Sequence, residues 1–291
     1  MLVHVVDFSG ETDLEGEPTE GHDPRDDIDF LENELDMWYL DILEKGLERY
    51  RSGYHGEEKN VEEDLAEQMS AFKTNKDEIK QVLLATDAGL DPDEWDEATK
   101  ERVAREIRKR TKPIVIAANK MDKPAAQEHF DDVTADPDYD HLTFVPTSAH
   151  AEKALKQAEE AGVVDYQPGA SSFEIVGDPS EEQAAGLEQI REYVEAFGGT
   201  GVQDVLESAL FDVMGAIAIF PGSANGSADS QGVFRDCFIL PEDSTTEDFA
   251  YHLHSDIGDG LLHGIDCRSN RQVGSDHELE HRDVVEIVTT N

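Results

Sequence analysis

Residues 113–122 read PIVIAANKMD: a proline, five apolar residues, and then Asn119, Lys120, Met121 and Asp122. A continuous apolar run of this length predicts a buried strand, from about Pro113 to Ala118. The four residues NKMD are a weak signal by themselves. Their position immediately after a predicted buried strand makes them the best candidate for a functional motif in the chain.

A second short strand is predicted at residues 142–146 (LTFVP), followed by Thr147, Ser148 and Ala149. A helix is predicted next, from about Ala151 to Ala161. Further helices are predicted at 179–197 and 202–214. This alternation of strand, loop and helix favours a parallel sheet covered by helices and therefore an α/β fold.

The residue types at 119–122 suit recognition of guanine. Guanine offers N1–H and the 2-amino group side by side, and a carboxylate such as that of Asp122 accepts both in a forked pair. Asn119 would bind the other edge of the base or tie neighbouring loops together, and the Lys120 stem would cover a ring face. Backbone N–H at Ala149, with Ser148 beside it, could meet the guanine carbonyl. In the alternative interpretation, Asn119 and Asp122 only satisfy backbone groups of a turn.

The sequence lacks a recognisable phosphate-binding motif. A P-loop ends in Gly-Lys-Ser/Thr, and the chain contains no Gly-Lys dipeptide. Asp-x-x-Gly occurs at Asp7, Asp13, Asp212 and Asp229, which means little in so acidic a sequence, and the GGTG stretch at 198–201 is interpreted as a helix stop and a helix start. No catalytic residue is assigned. No metal site is assigned either, because His252, His254, His263 and Cys267 lack the paired spacing of a zinc site.

The predicted organisation is a first domain over residues 1–221 and a second over 232–291. The first begins with a buried strand at residues 2–6 and ends in the run IAIF at 217–220. Between them it carries a helical insertion at about 24–111 with three helices, predicted from 24 to about 50, from 60 to about 72, and from about 93 to 110. The loop at 222–232 is rich in Gly, Ser and Ala. Beyond it, strands at 233–240, 261–266 and 284–288 and a helix at 245–254 indicate a small α+β module.

The chain is strongly acidic along its whole length. It has 291 residues with 24 basic and 67 acidic side chains, a net charge of −43. Such a dispersed excess of acidic residues favours a protein adapted to a high-salt cytoplasm. The alternatives are an acidic partner-binding protein and a nucleic-acid mimic, which usually concentrate their charge on one face. No stretch is long and apolar enough to span a membrane, and the two cysteines form no disulfide framework.

A basic patch at 102–112 indicates cations at a helix C-terminus, with contact to RNA phosphates as the alternative. It comprises Arg102, Arg105, Arg108, Lys109, Arg110 and Lys112.

Asn119–Asp122 together with Thr147–Ala149 resemble the two base-recognition motifs of translation-factor-type GTPases. The order of elements resembles the Obg-related, YchF-like GTPases, particularly the archaeal branch with a C-terminal TGS domain. The segments that carry the likeness are LVHVVDFSGETDLEG (2–16), Asp36-Met37-Trp38, FGGTGVQD (197–204) and FILPEDSTTEDFAYHLHSDIGD (238–259).

This resemblance implies a partial P-loop GTPase-type parallel sheet with a helical insertion, followed by a β-grasp (ubiquitin-like) TGS domain. It implies GTP as the nucleotide, since bacterial relatives that favour ATP lose the lysine and aspartate kept here as Lys120 and Asp122. Family members carry their P-loop and magnesium-binding motifs upstream of the strand at 2–6. We therefore expect an N-terminally truncated member that is inactive alone, or a mis-started gene.

The resemblance also implies partners. A guanine nucleotide is expected at the base-recognition residues, and the ribosome or RNA is expected at the TGS module. The alternative is a non-catalytic fragment that binds ribosomes or RNA through its TGS domain. The oligomeric state is not predicted.

Overall fold

The computed structural model describes residues 1–52, 60–72, 74–222 and 236–290. Contacts divide the chain into two compact units, Met1–Leu206 and Glu207–Asn291. The loop predicted at 222–232 lies outside the described residues apart from Gly222, and so do residues 233–235 of the strand predicted at 233–240. No helix among the described residues is both long enough and apolar enough to cross a membrane.

A three-stranded parallel sheet organises the first unit. The strands are β1 (Leu2–Asp7), β2 (Ile114–Asn119) and β3 (Thr143–Pro146), in the order β1-β2-β3. The register aligns Asp7 with Asn119 and Ala118 with Pro146. Because the strands are parallel, the residues that follow β1, β2 and β3 meet at one edge of the sheet. The α/β class and the strands at 113–118 and 142–146 are thereby confirmed.

β1 is less buried than its sequence predicts. Val3 and Val5 are exposed, Val5 by 60%, while Val6 is buried. Exposed and more buried side chains alternate along β1, so its two faces differ in burial. An apolar run predicts burial on both faces, but only the face that carries Val6 packs into the core of the first unit.

The described part of the insertion contains four α-helices, one more than the three predicted. They are α1 (Pro24–Ser52), α2 (Val61–Gln68), α3 (Lys76–Thr86) and α4 (Glu97–Thr111). α3 was missed, and it begins at a capping box between Asn75 and Glu78. α4 begins four residues later than predicted because Pro92–Glu94 forms a 3₁₀ turn and Asp96 caps the helix. These helices enclose a core of their own, which includes Tyr39, Leu43, Leu65, Met69, Ile79, Val103 and Ile107.

The remaining elements of the first unit surround the sheet. They are α5 (Pro124–Thr134), α6 (Ala149–Glu160), a short antiparallel pair β4 (Val164–Asp165) and β5 (Glu174–Ile175), α7 (Glu181–Phe197) and α8 (Val202–Glu207). Ser148 caps α6, and Gly198 closes α7 with φ 79°. The single helix predicted from 202 to 214 is instead α8 followed by a π-helical segment, Ser208–Val213.

The second unit is a mixed five-stranded sheet with helices. Its elements are β6 (Ala216–Pro221), β7 (Phe238–Pro241), α9 (Thr246–Leu253), α10 (Ser255–Asp259), β8 (Leu261–Asp266), β9 (Arg271–Val273) and β10 (Val284–Thr289). The strand order is β7-β6-β10-β8-β9, with β6 and β10 parallel and the other pairs antiparallel. Phe249 of α9 packs in a core with Ile217, Ile219, Leu240 and Val285.

The strand β6 belongs by its contacts to the second compact unit, although we placed it in the first domain. We assigned IAIF to the end of a first domain at residue 221 and began the second at 232. In the structure β6 pairs with both β7 and β10 and lies inside the second sheet. Its apolar residues fill the core of the second unit, so the division falls near residue 206.

Candidate functional site

The loop after β2 carries the predicted base-recognition residues. Met121 is buried in the core and anchors the loop, and its backbone N–H donates to the carbonyl of Thr147 at 3.1 Å. Lys120 adopts φ 65°, a left-handed conformation that is uncommon outside glycine and turns the chain sharply. Asn119, Lys120 and Asp122 all line one cavity.

Hydrogen bonds join this loop to the loop after β3. The Ser148 hydroxyl donates to Asp122 Oδ1 at 2.7 Å, and the Ala149 N–H donates to Asn119 Oδ1 at 3.0 Å. The five predicted residues therefore come together. Ala149 differs in detail from the expectation, because its N–H binds Asn119 instead of standing open for a guanine carbonyl.

Ser148 has a second task in the fold. Its side chain is fully buried, and its Oγ accepts from the N–H of Ala151 and so caps the helix α6. One hydroxyl thus links the helix start to the Asp122 carboxylate. A capped helix end is rigid, so Asp122 is held by a fixed partner.

The stretch GGTG at 198–201 supports the Ser148 loop from behind. The Ser148 N–H donates to the Thr200 carbonyl at 2.9 Å. Gly201 has φ 80°, and a Cβ placed there would overlap the carbonyl oxygen of Pro146. We interpreted this stretch only as a helix boundary; it also sets the backbone of the site.

Glu152 connects these pieces under the site. It is buried on α6, and its Oε2 accepts from Thr200 Oγ1 at 2.7 Å and from the Tyr166 hydroxyl at 2.7 Å. Burial, and then the bond to Glu152, raise the pKa of Tyr166 to about 12, so its phenol stays protonated and donates. Sequence reasoning missed Glu152 and Thr200, because no local pattern brings together residues 48 positions apart.

The cavity beside these loops has a volume of about 1060 Å³. Its polar end holds Asn119, Lys120, Asp122 and Ser148, with Glu11 and Lys123 also lining it. Small and apolar side chains of α6 and α7 continue the wall, among them Ala151, Ala154, Ala158, Ile190 and Tyr193. An apolar wall beside a few converging polar groups is the usual character of a small-molecule site.

Lys120 and Asp7 form an ion pair inside the site. The Lys120 ammonium lies 2.9 Å from Asp7 Oδ2 and 3.9 Å from Glu11. Burial alone would raise the pKa of Asp7, but hydrogen bonds from Ser9, Thr12 and Lys120 outweigh burial and lower that pKa to about 2. Asp7 is therefore fully ionised at neutral pH.

Several cations of the basic patch at 102–112 contact other side chains of the first unit. Arg108 is buried and contacts Glu32 and Asp36 of α1, and Arg105 also binds Asp36. Arg110 pairs with Glu106, and the Lys112 ammonium lies over the Trp38 ring. Arg105 and Arg108 therefore connect α4 to α1, and Lys112 contacts α1 through Trp38, whereas Arg110 pairs within α4.

No group of three or more His, Cys, Asp or Glu side chains in the described part of the chain is arranged to hold a metal ion. Asp7, the carboxylate nearest to the Lys120 ammonium, already accepts hydrogen bonds on both oxygens. Both oxygens of Asp7 are thus already occupied by partners within the first unit.

Residues 117–223 match the Obg-like GTPase YGR210-like, G4 motif-containing domain, and residues 227–289 match the TGS domain. The chain is 36% identical over 292 residues to the GTP-binding protein MJ1332 of Methanocaldococcus jannaschii, covering 99% of this chain and 72% of that protein. The crystal structure of a GTP binding protein from Pyrococcus horikoshii OT3 is similar, with a TM-score of 0.73 and 35% identity over 99% of this chain and 78% of the other.

The YchF GTPase of Schizosaccharomyces pombe shares the fold with a TM-score of 0.53 at 14% identity, over 98% of this chain and 71% of that one. The matched G4 domain contains all five residues of the base-recognition loops. The chain belongs to the Obg-related, YchF-like family of GTP-binding proteins with a C-terminal TGS domain.

Proposed function

We propose that this chain binds the guanine base of GTP or GDP through Asn119, Lys120 and Asp122, with Ser148 and Ala149 holding them in place. One observation carries the proposal. The Asp122 carboxylate lines a cavity large enough for a nucleotide base and is oriented by the buried Ser148 hydroxyl at 2.7 Å.

The carboxylate gives the base preference. A carboxylate has about four acceptor sites, so Asp122 can accept from Ser148 and still accept from N1–H and the 2-amino group of guanine. Adenine has no 2-amino donor and would leave part of the carboxylate unpaired. The bond from Ala149 to Asn119 Oδ1 fixes the amide, so Nδ2 is the end that donates to the base.

Binding of phosphates is a separate matter from binding of the base. Most nucleotide affinity in such sites comes from loop N–H groups, a lysine and Mg²⁺ around the phosphates. The 291 residues contain no Gly-Lys-Ser/Thr sequence. We therefore propose that the chain as given binds guanine nucleotides weakly and does not hydrolyse GTP by itself.

A titration tests the proposed base preference. Guanosine, GDP, adenosine and ADP are added to the full chain in concentrated KCl and followed by saturation-transfer NMR. We expect saturable binding of guanosine and GDP and much weaker binding of the adenine compounds. Equal binding of the two bases would overturn the assignment of Asp122.

A phosphate-release assay with Mg²⁺ and GTP tests the absence of hydrolysis. No release above the buffer blank is expected. Magnesium-dependent turnover by the chain alone would show that other residues hold the phosphates.

A ribosome or RNA partner is a second proposal, and the match of residues 227–289 to the TGS domain supports it. The alternative of a non-catalytic binder acting through this domain makes the same prediction. Sedimentation of the chain with ribosomes tests it, with removal of the second unit as the control. Co-sedimentation that survives this removal would contradict a role for the TGS domain.

A further inference from the structure

The Lys120 side chain is held at its charged end by a residue outside the base-recognition loops. Its ammonium lies 2.9 Å from Asp7, a residue 113 positions earlier in the chain. The side chain of Lys120 is about one-third exposed, whereas that of Asp7 is mostly buried. The pair is thus partly withdrawn from water, which strengthens it relative to a surface pair.

Asp7 is itself fixed by its own turn. The backbone N–H and the hydroxyl of Ser9 donate to Asp7 Oδ1 at 2.8 and 2.6 Å, and the Thr12 hydroxyl donates to Oδ2 at 2.5 Å. The backbone is aligned as well, since Asp7 pairs with Asn119 and the Phe8 N–H donates to the Asn119 carbonyl at 3.1 Å. These donors fix the position of the Asp7 carboxylate. The Lys120 side chain therefore adopts the conformation that brings its ammonium to Asp7.

We propose that Asp7 is a positioning residue of the guanine site, which holds the Lys120 ammonium so that the lysine stem lies along the base cavity. The proposal rests on the proposed function, because it assigns a role within the same site. Of the turn that follows Asp7, Glu11 lines the same cavity.

The acidity of the chain explains why fixing the Lys120 side chain favours nucleotide binding. A free lysine side chain loses rotamer entropy when it is fixed. In a chain with 67 acidic residues a mobile lysine also has many other carboxylates to meet. Asp7 limits both losses by fixing Lys120 before the nucleotide arrives, which is preorganisation of the site.

Glu11 contributes less than Asp7 to this positioning. It lies 3.9 Å from Lys120 and 3.5 Å from Lys123, and its side chain is half exposed. Concentrated salt screens such an exposed contact far more than a partly buried one. The contact with Asp7 is therefore the one expected to persist in high salt.

A double-mutant cycle on the full chain tests the proposal, with the dissociation constant of GDP measured in concentrated KCl. The variants are Asp7→Asn, Lys120→Met and the double variant; methionine keeps an apolar stem and removes the charge. We expect Asp7→Asn to raise the dissociation constant about 3- to 10-fold, the range for a partly exposed charged pair. In the Lys120→Met background, Asp7→Asn should add nothing.

Asp13→Asn is the matched control. Asp13 lies in the same loop, but within the described residues its side-chain carboxylate accepts from the backbone N–H groups of Glu15 and Glu17 and not from Lys120. We expect this variant to leave GDP affinity unchanged. Thermal melting of every variant shows whether each one is folded.

Additive effects of Asp7→Asn and Lys120→Met would overturn the proposal, since a residue that acts only on the fold would weaken binding in either background. An unchanged GDP affinity in Asp7→Asn would overturn it as well. The ¹⁵Nζ signal of Lys120 gives a readout without ligand. An ion-paired ammonium exchanges slowly, and this signal should be lost in Asp7→Asn.

The NMR signal also separates the two proposals. If the unmodified chain binds no guanine compound, the proposed function is wrong whatever Asp7 does. If it binds GDP but the Lys120 signal does not respond to Asp7→Asn, only the positioning role is wrong.

Discussion

At the scale of single residues, Asp122 is the side chain on which the proposed choice of base depends. The Asp122→Asn change keeps an oxygen that can accept from Ser148, so the loop should keep its shape. It replaces an acceptor by an amide donor, which disfavours guanine and suits the 2-oxo group of xanthine. We expect the free energy of guanosine binding to weaken by about 1.5–3 kcal/mol, as for loss of a charged hydrogen bond, with a gain for xanthosine.

Competition between guanosine and xanthosine measures this exchange. Asp165→Asn, an exposed residue of β4, is the control and should change neither affinity. Unaltered guanosine affinity in Asp122→Asn would mean that another group reads the base.

Two glycines of the 198–201 stretch allow a matched comparison. Gly198 and Gly201 have nearly the same left-handed φ, 79° and 80°, but only at Gly201 would a Cβ meet backbone, at Pro146. Gly198→Ala should cost about 1–2 kcal/mol of unfolding free energy, the cost of the conformation alone. Gly201→Ala should cost about 1–3 kcal/mol more, because the backbone must shift.

Chemical denaturation of both variants measures the difference. Since the strand end at Pro146 leads into Ser148, Gly201→Ala should also weaken guanosine binding, and Gly198→Ala should not. Equal losses of stability in the two variants would contradict the close contact.

At the scale of elements, Arg108 is the main polar link between α1 and α4. It is only 1% exposed, and its guanidinium lies 2.7 Å from Glu32 and 2.8 Å from Asp36. Arg108→Met removes the buried cation from both carboxylates, which leaves Asp36 with Arg105 and Glu32 with His141 as their remaining partners. We expect a loss of about 3–5 kcal/mol in unfolding free energy, the usual result of breaking a buried pair on one side.

Arg110→Met is the control on the same helix. Arg110 pairs with Glu106 at 2.6 Å near the surface, and such a pair contributes about 0–1 kcal/mol. Adding Glu32→Gln and Asp36→Asn to Arg108→Met should restore part of the stability. If Arg108→Met and Arg110→Met are equally stable, Arg108 does not hold the insertion together.

At the scale of the whole molecule, the net charge of −43 sets the conditions under which the chain folds. Like charges repel in the compact state, and salt screens them over about 10 Å at 0.1 M and about 3 Å at 1 M. We expect the melting temperature to rise steadily from about 0.1 to about 3 M KCl. Thermal melts followed by circular dichroism measure this, and a melting temperature independent of KCl would remove the argument for a high-salt environment.

Local sequence was enough for the centre of the first unit. The runs PIVIAA and LTFVP predict β2 and β3, because burial in a parallel sheet selects short continuous apolar segments. The side chains of Asn119 and Asp122 predict guanine chemistry because the donors and acceptors of a side chain do not depend on the fold. Their position just after the strand needs no information from distant residues.

Shorter or more distant features depended on tertiary structure. The helix α3 is only 11 residues long, although Ile79, Val82 and Leu83 have helical spacing, and the 3₁₀ turn at 92–94 is too short to show any period. β6 is a continuous apolar run like β2, and only its pairing with β7 and β10 assigns it to the second unit. A strand's composition does not state which strands will lie beside it.

The sequence by itself determined the fold class, the family and the residues suited to read guanine. Tertiary structure decided that β1 lies at a sheet edge, that Glu152 joins Thr200 to Tyr166 beneath the site, and that Asp7 binds Lys120. The physical reason is the range of the interactions. Strand period, capping and side-chain chemistry act within a few residues, whereas each of these contacts exists only after the sheet brings distant segments to the same edge.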